Sequence, residues 1–125
     1  MTVQEDSVEN TDQNASNLVV IDEVDFGSFG LDKSILEEIE GQGFKTPTEV
    51  QRLSIPEVLK DRDLISQAQT GSGKTAAFAL PIIQKCIWNK SYQALVLVPT
   101  RELAKQAKDA FKSLSPRTIL SLIHI

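Results

Sequence analysis

The chain has 125 residues, 41% hydrophobic and 24% charged, the balance of a single soluble globular domain. No apolar run nears the ~18–20 residues that cross a bilayer, and the acidic N-terminus lacks the basic and apolar regions of a signal peptide, so a cytoplasmic protein is expected. A net charge of −4 speaks against nucleic acid until its distribution is read: residues 1–25 hold seven of the 17 acids and no Lys or Arg, leaving ten acidic against 13 basic groups in the remainder.

Residues 1 to about 20 are rich in Gln, Asn, Ser, Asp and Glu. Such a stretch buries too little apolar surface to offset its ordering entropy, so residues 1–25 are expected to form a disordered acidic tail, with a folded unit over 26–125. From Leu31 a short helix is expected, capped by Asp32, striped by Ile35, Leu36 and Ile39 and ended by Gly41 and Gly43. Next, Thr46 fits an N-cap, Pro47 the first helical position and Glu49 the closing residue of a capping box. The helix that follows carries Gln51 and is expected to be interrupted at Pro56.

Asp63–Gln69 reads as a short strand. It leads through a Gly-rich turn into a helix with Ala76, Ala77, Phe78 and Leu80, in which Pro81 is expected to cause a kink or break near Leu80. Tyr92–Val98 is a nearly continuous apolar run, the pattern of a strand covered on both faces. Arg101–Leu114 reads as an amphipathic helix, with Leu103, Ala107, Phe111 and Leu114 inward and Lys105, Lys108 and Lys112 outward. Arg117–Ile125 reads as a third strand. Strand and helix alternate, so the fold class is α/β with a parallel sheet flanked by helices.

Cys86, the single cysteine, excludes an internal disulfide and, beside Ile83, Ile87 and Trp88, reads as core packing. His124 has no partner at metal-ligand spacing and receives no role.

The chemistry centres on Ala68-Gln69-Thr70-Gly71-Ser72-Gly73-Lys74-Thr75. This run satisfies the phosphate-loop pattern G-x-x-x-x-G-K-[ST] with Ala in the first glycine position. Thr70 and Ser72 flank Gly71, and Gly71 with Gly73 can turn several backbone N–H groups toward one anion. The helix starting near Lys74 adds its positive end. Lys74 is then the group for the β- and γ-phosphates, and the Thr75 hydroxyl the ligand for Mg²⁺. A flexible Gly/Ser turn with an incidental lysine is the plain alternative, and placement between strand and helix argues against it.

The base is named upstream. Gly43-Phe44-Lys45-Thr46-Pro47-Thr48-Glu49-Val50-Gln51 resembles the Q motif of DEAD-box RNA helicases, and Phe26, 17 positions before Gly43, matches that family's upstream aromatic. The side-chain amide of Gln51 can donate to adenine N7 and accept from its N6 amino group, a pairing that guanine refuses. By resemblance, Phe44 stacks on the base and the backbone carbonyl of Thr46 accepts from N6. Taken alone, Phe44 could be core and Gln51 a solvated helix residue, and Phe29 is a neighbouring aromatic that fits the spacing less well than Phe26.

Pro99-Thr100-Arg101-Glu102-Leu103-Ala104 resembles the family's first RNA-contacting motif. A helix N-terminus, the Thr100 hydroxyl and the Arg101 guanidinium can hold the RNA backbone without reading its sequence. Arg101 could instead pair with a structural carboxylate, and the basic face of the following helix could be simple solvated surface.

The resemblance covers Phe26 to the C-terminus and implies the first RecA-like domain of a helicase that has two, binds ATP and Mg²⁺ between them and separates short RNA duplexes. The chain holds no Asp-Glu-Ala-Asp and no Ser-Ala-Thr run. An incomplete domain is therefore expected, unable to hydrolyse ATP at an enzymatic rate and only marginally stable where strand edges go unpaired. Two other functions stay open: a non-catalytic ATP- or RNA-binding fragment, and another P-loop ATPase that does not act on RNA.

Overall fold

A computed structural model of the chain describes residues 24–87 and 90–115; residues 1–23 of the acidic tail, the third expected strand and His124 lie outside the described residues, while Asp25, expected in that tail, instead caps the first turn by accepting from Ser28 N. A short 3-10 turn, Phe26–Phe29, precedes four helices: α1 (Lys33–Gly41), α2 (Glu49–Leu59), α3 (Lys74–Lys85) and α4 (Arg101–Leu114). α3 is the hub, packed along α2 and also against α4, while α1 touches α4.

The core follows from the apolar spacing on these helices. Ile35 and Ile39 of α1, Ile55 of α2, Leu80 and Ile83 of α3, and Phe111 of α4 belong to one buried cluster. Ile55 and Leu80 are fully inaccessible, and burying each contributes about 1.5–3 kcal/mol. Small residues on α3, Ala76, Ala77 and Ala79, are buried too and leave room for neighbouring helices to come close.

Pro56 was expected to interrupt its helix and Pro81 to kink or break α3 near Leu80, and neither proline ends its helix. α2 continues through Pro56 to Leu59, and α3 continues through Pro81 to Lys85. Each proline removes one ladder bond, which packing offsets: Pro81 is among the most deeply buried residues, between Leu80 and Ile83.

The cap of α2 also differs from expectation. Thr48, not Thr46, is the N-cap: its hydroxyl accepts from Gln51 N and the Gln51 side chain accepts from Thr48 N, a complete capping box. Thr46-x-x-Glu49 and Thr48-x-x-Gln51 both satisfy the box pattern, and the longer Gln51 makes a further contact described below. Thr46 is exposed. Thr48→Ala is therefore expected to lower stability by about 1 kcal/mol in denaturant unfolding, and Thr46→Ala by less than about 0.5 kcal/mol. Equal losses would return the cap to Thr46. Asp32 occupies the N-cap position of α1 but makes no side-chain cap bond; its backbone N–H donates instead to Gln84 Oε1 at 2.7 Å, tying α1 to α3.

Among the described residues no strand forms. Asp63–Gln69 and Tyr92–Val98, both expected as strands, carry no regular secondary structure. A strand is stable only when a neighbour pairs its backbone and covers its side chains; here Ile65, Leu95 and Leu97 are 83%, 82% and 78% exposed. Two further expectations change. Cys86 is exposed at the C-terminal cap of α3, because that helix ends there and the chain turns away from the core. Leu103, in the first turn of α4, is 42% exposed, since the core contacts of α4 gather toward its other end at Phe111 and Leu114.

Candidate nucleotide and nucleic-acid site

The site is assembled from the C-terminus of α1, the N-terminus of α2 and the turn into α3. Gly43 N donates to Glu40 O and Phe44 N to Ile39 O, both at 3.0 Å. These are the paired bonds of a Schellman helix end, with Gly43 at φ 85 in the left-handed region that glycine adopts without strain. The motif fixes where Phe44 leaves the helix. Phe44 is half-buried, and behind it Phe26 is buried, the two rings edge to face with centroids 6.0 Å apart. Phe29 also meets Phe26 edge to face at the same separation. Of the three aromatics, Phe26 thus braces the other two from within the core.

Gln51 is 2% exposed, although its amide is strongly polar, because both ends of that amide are bonded. Its Oε1 accepts from Thr48 N at 2.9 Å, and its Nε2 donates to Gly73 O at 3.2 Å, across 22 positions of sequence. The second bond escapes sequence reasoning, since the pattern pointed Gln51 at a base rather than at the protein's own loop. The available signal was the need of a buried amide for two partners.

The loop is shaped by Gly71 and Gly73, at φ 81 and 84. Ser72 folds over it, N and Oγ both donating to Gln69 O at 3.2 and 2.5 Å. Lys74 Nζ donates to Ala68 O at 2.6 Å, so the ammonium lies across the mouth of its own loop. The N-cap position of α3 is Gly73, which has no side chain to cap the helix, whereas α2 and α4 are capped by Thr48 and Thr100. Its first N–H groups lack intrahelical acceptors and favour an anion. Thr75 sits in that first turn, half-buried, its hydroxyl without a hydrogen-bond partner among the described residues.

Thr100 caps α4, accepting from Leu103 N at 3.2 Å. Pro99, Thr100, Arg101 and Glu102 are all exposed, and Arg101 makes no ion pair among the described residues, which leaves its guanidinium available. α4 joins α3 through Phe111 and Phe78, whose ring centroids are 5.9 Å apart. The structure therefore links Gln51 to the Gly73 turn by a direct bond, and carries Thr100 and Arg101 on α4, a separate helix packed against α3. A depression of about 320 Å³, lined by Val58, Ile82, Lys85, Cys86, Gln93 and Ala94, shares no residue with this site.

A profile of the DEAD/DEAH box helicase family matches residues 48–124. The chain belongs to that family. It is 50% identical over 93 residues to the DEAD-box ATP-dependent RNA helicase RhpA of Helicobacter pylori, covering 74% of this chain and 19% of the relative. It is 52% identical over 91 residues to the ATP-dependent rRNA helicase rrp3 of Schizosaccharomyces pombe, covering 71% and 19%. The chain thus spans about a fifth of the length of these relatives. Among solved structures, a DEAD box protein from the hyperthermophile Methanococcus jannaschii superposes with a TM-score of 0.72 at 41% identity, over 76% of this chain and 27% of that one. S. cerevisiae Dbp5 bound to RNA and ADP BeF3 superposes with a TM-score of 0.69 at 34% identity, over 72% and 24%. The α/β RecA-like class expected from the sequence is the fold of these DEAD-box structures, of which the four helices here are part. No helix among the described residues is long and apolar enough to cross a membrane.

Proposed function

We propose that this chain supplies the adenine-binding and phosphate-binding elements, and one RNA-backbone contact, of an ATP-dependent RNA helicase. The observation that carries the reading is the bond from Gln51 Nε2 to Gly73 O, which couples a base-side amide to the loop that faces the phosphates. An amide carries two N–H donors and two lone pairs on oxygen, so Gln51 keeps one of each for the adenine edge while holding the loop. Phe44, presented by the α1 end and braced by Phe26, is the stacking surface, and the carbonyl of Thr46 is an acceptor beside it. The N–H groups of Thr70–Lys74 receive the phosphates, and Thr75 offers its hydroxyl to Mg²⁺, which supplies positive charge at the phosphate oxygens when bound. Thr100 and Arg101, at the N-terminus of α4 with Pro99 and Glu102, hold RNA through phosphate and sugar, independent of sequence. A cytoplasmic site of action fits a single, exposed, unpaired cysteine.

Comparing ATP with GTP tests the base assignment. Wild-type chain is expected to prefer ATP, and Gln51→Ala to lose about two- to tenfold of that preference, the contribution of one neutral hydrogen bond of about 0.5–1.5 kcal/mol. Equal affinity for both nucleotides in the wild type would leave a generic nucleotide loop only.

A further inference from the structure

Arg101, Lys105, Lys108 and Lys112 follow one another on α4 at spacings of four, three and four residues. At 3.6 residues per turn that spacing confines them to an arc of about 60° and a length of about 16 Å. Arg101, Lys105 and Lys112 are exposed and Lys108 is half-exposed, while Phe111 and Leu114 point into the core at 5% and 3% exposure. None of the four cations has a hydrogen-bond or ion-pair partner among the described residues. The ion pairs of the structure use Lys33, Lys60, Arg62 and Lys85 instead, and the acids of α4, Glu102 and Asp109, join none of them.

An unpaired file of like charges is not neutral for a helix. Cations at i,i+3 and i,i+4 repel one another, and only Lys112, in the last turn, gains from the helix dipole. A polyanion laid along the file relieves the repulsion of all four. The file also begins at Arg101, in the corner already assigned to RNA backbone.

We propose that the RNA phosphate backbone runs on from the Thr100–Arg101 corner along Lys105, Lys108 and Lys112, so that α4 tracks a strand of RNA rather than touching it at one end. The inference rests on the RNA-binding reading above and extends it by three residues. Contacts of this kind hold phosphates without reading bases and follow counter-ion release: each single-strand phosphate neutralised contributes about 0.7 to the slope of log affinity against log salt.

The test is anisotropy of a labelled single-stranded polyuridylate with the full chain over a salt series. The triple variant Lys105→Gln/Lys108→Gln/Lys112→Gln is expected to reduce that slope by about 2 and to weaken binding at low salt about tenfold or more. A charge-matched triple at exposed lysines elsewhere, Lys33→Gln/Lys60→Gln/Lys90→Gln, is expected to change the slope little. Helix content by circular dichroism accompanies each variant. Should the α4 triple lose its fold, Lys105→Gln alone is expected to lower the slope by about 0.7, and the triple Lys→Arg change to retain wild-type binding. Equal losses in the two triples, or an unchanged slope in the α4 triple while Arg101→Ala weakens binding, overturns the track and leaves the corner. Failure of the wild type to bind RNA at all overturns both.

Discussion

Lys74→Ala is expected to weaken ATP binding roughly ten- to hundredfold, as read by titration calorimetry. The ammonium is exposed and donates to the neutral carbonyl of Ala68 at 2.6 Å. Moving the same donor to a phosphate exchanges a neutral acceptor for a charged one, and hydrogen bonds to charged groups contribute about 1.5–3 kcal/mol. The substitution removes one exposed contact and no core atom, so the unfolding midpoint is expected to stay close to wild type; loss of binding is then not loss of fold. Arginine is no substitute here, since its planar fork is larger than the point charge the loop wraps around. An unchanged dissociation constant would sink the phosphate assignment. The same pair of proteins addresses turnover: phosphate release from ATP is expected to be no faster for wild type than for Lys74→Ala, and a clear excess in the wild type would refute binding without hydrolysis.

Gly73→Ala is expected to be the most destabilising single change in the site, by about 2–5 kcal/mol in urea unfolding. Left-handed backbone at φ 84 costs a residue with a Cβ roughly 1–2 kcal/mol. The new methyl would also press into Gln51 Nε2, with Gln51 Cδ and Thr48 Oγ1 only 3.2 Å away, and overpacking of that kind adds about 1–3 kcal/mol. Gly71→Ala is the internal control. Its φ is nearly the same, at 81, but nothing lies within 4 Å of its Cβ, so only the backbone strain of about 1–2 kcal/mol applies. Combining Gly73→Ala with Gln51→Ala removes the obstructing amide, and the pair is expected to be less harmful than the sum of its singles by about 1 kcal/mol or more. If Gly73→Ala and Gly71→Ala prove equally costly, Gln51 does not press on the loop as described.

The helices were the most legible part of this chain, and for a physical reason. α4 was readable to its boundaries, because Thr100 announces its start and its apolar spacing persists to Leu114. α3 was readable at its start because the phosphate-loop pattern ending in Gly73-Lys74-Thr75 places a helix there. The prolines misled because propensity is local, while the burial of Pro81 and its neighbours is not. The cap of α2 misled because two overlapping boxes fit, and only a contact 22 residues away distinguishes them. Cys86 and Leu103 misled by sitting near apolar neighbours in sequence but at the ends of their helices, where the core has already been left behind. The strand readings rest on alternation and apolar runs, which describe the side chains a sheet wants and not the neighbour it requires.

Gln51 has a consequence for anyone wishing to retune this pocket. Its one side chain serves as a helix cap, a candidate base reader and a strut under Gly73. A change of residue at this position meant to admit a different purine would also loosen the bend proposed to hold the triphosphate. Selectivity and grip are therefore mechanically yoked at this one position.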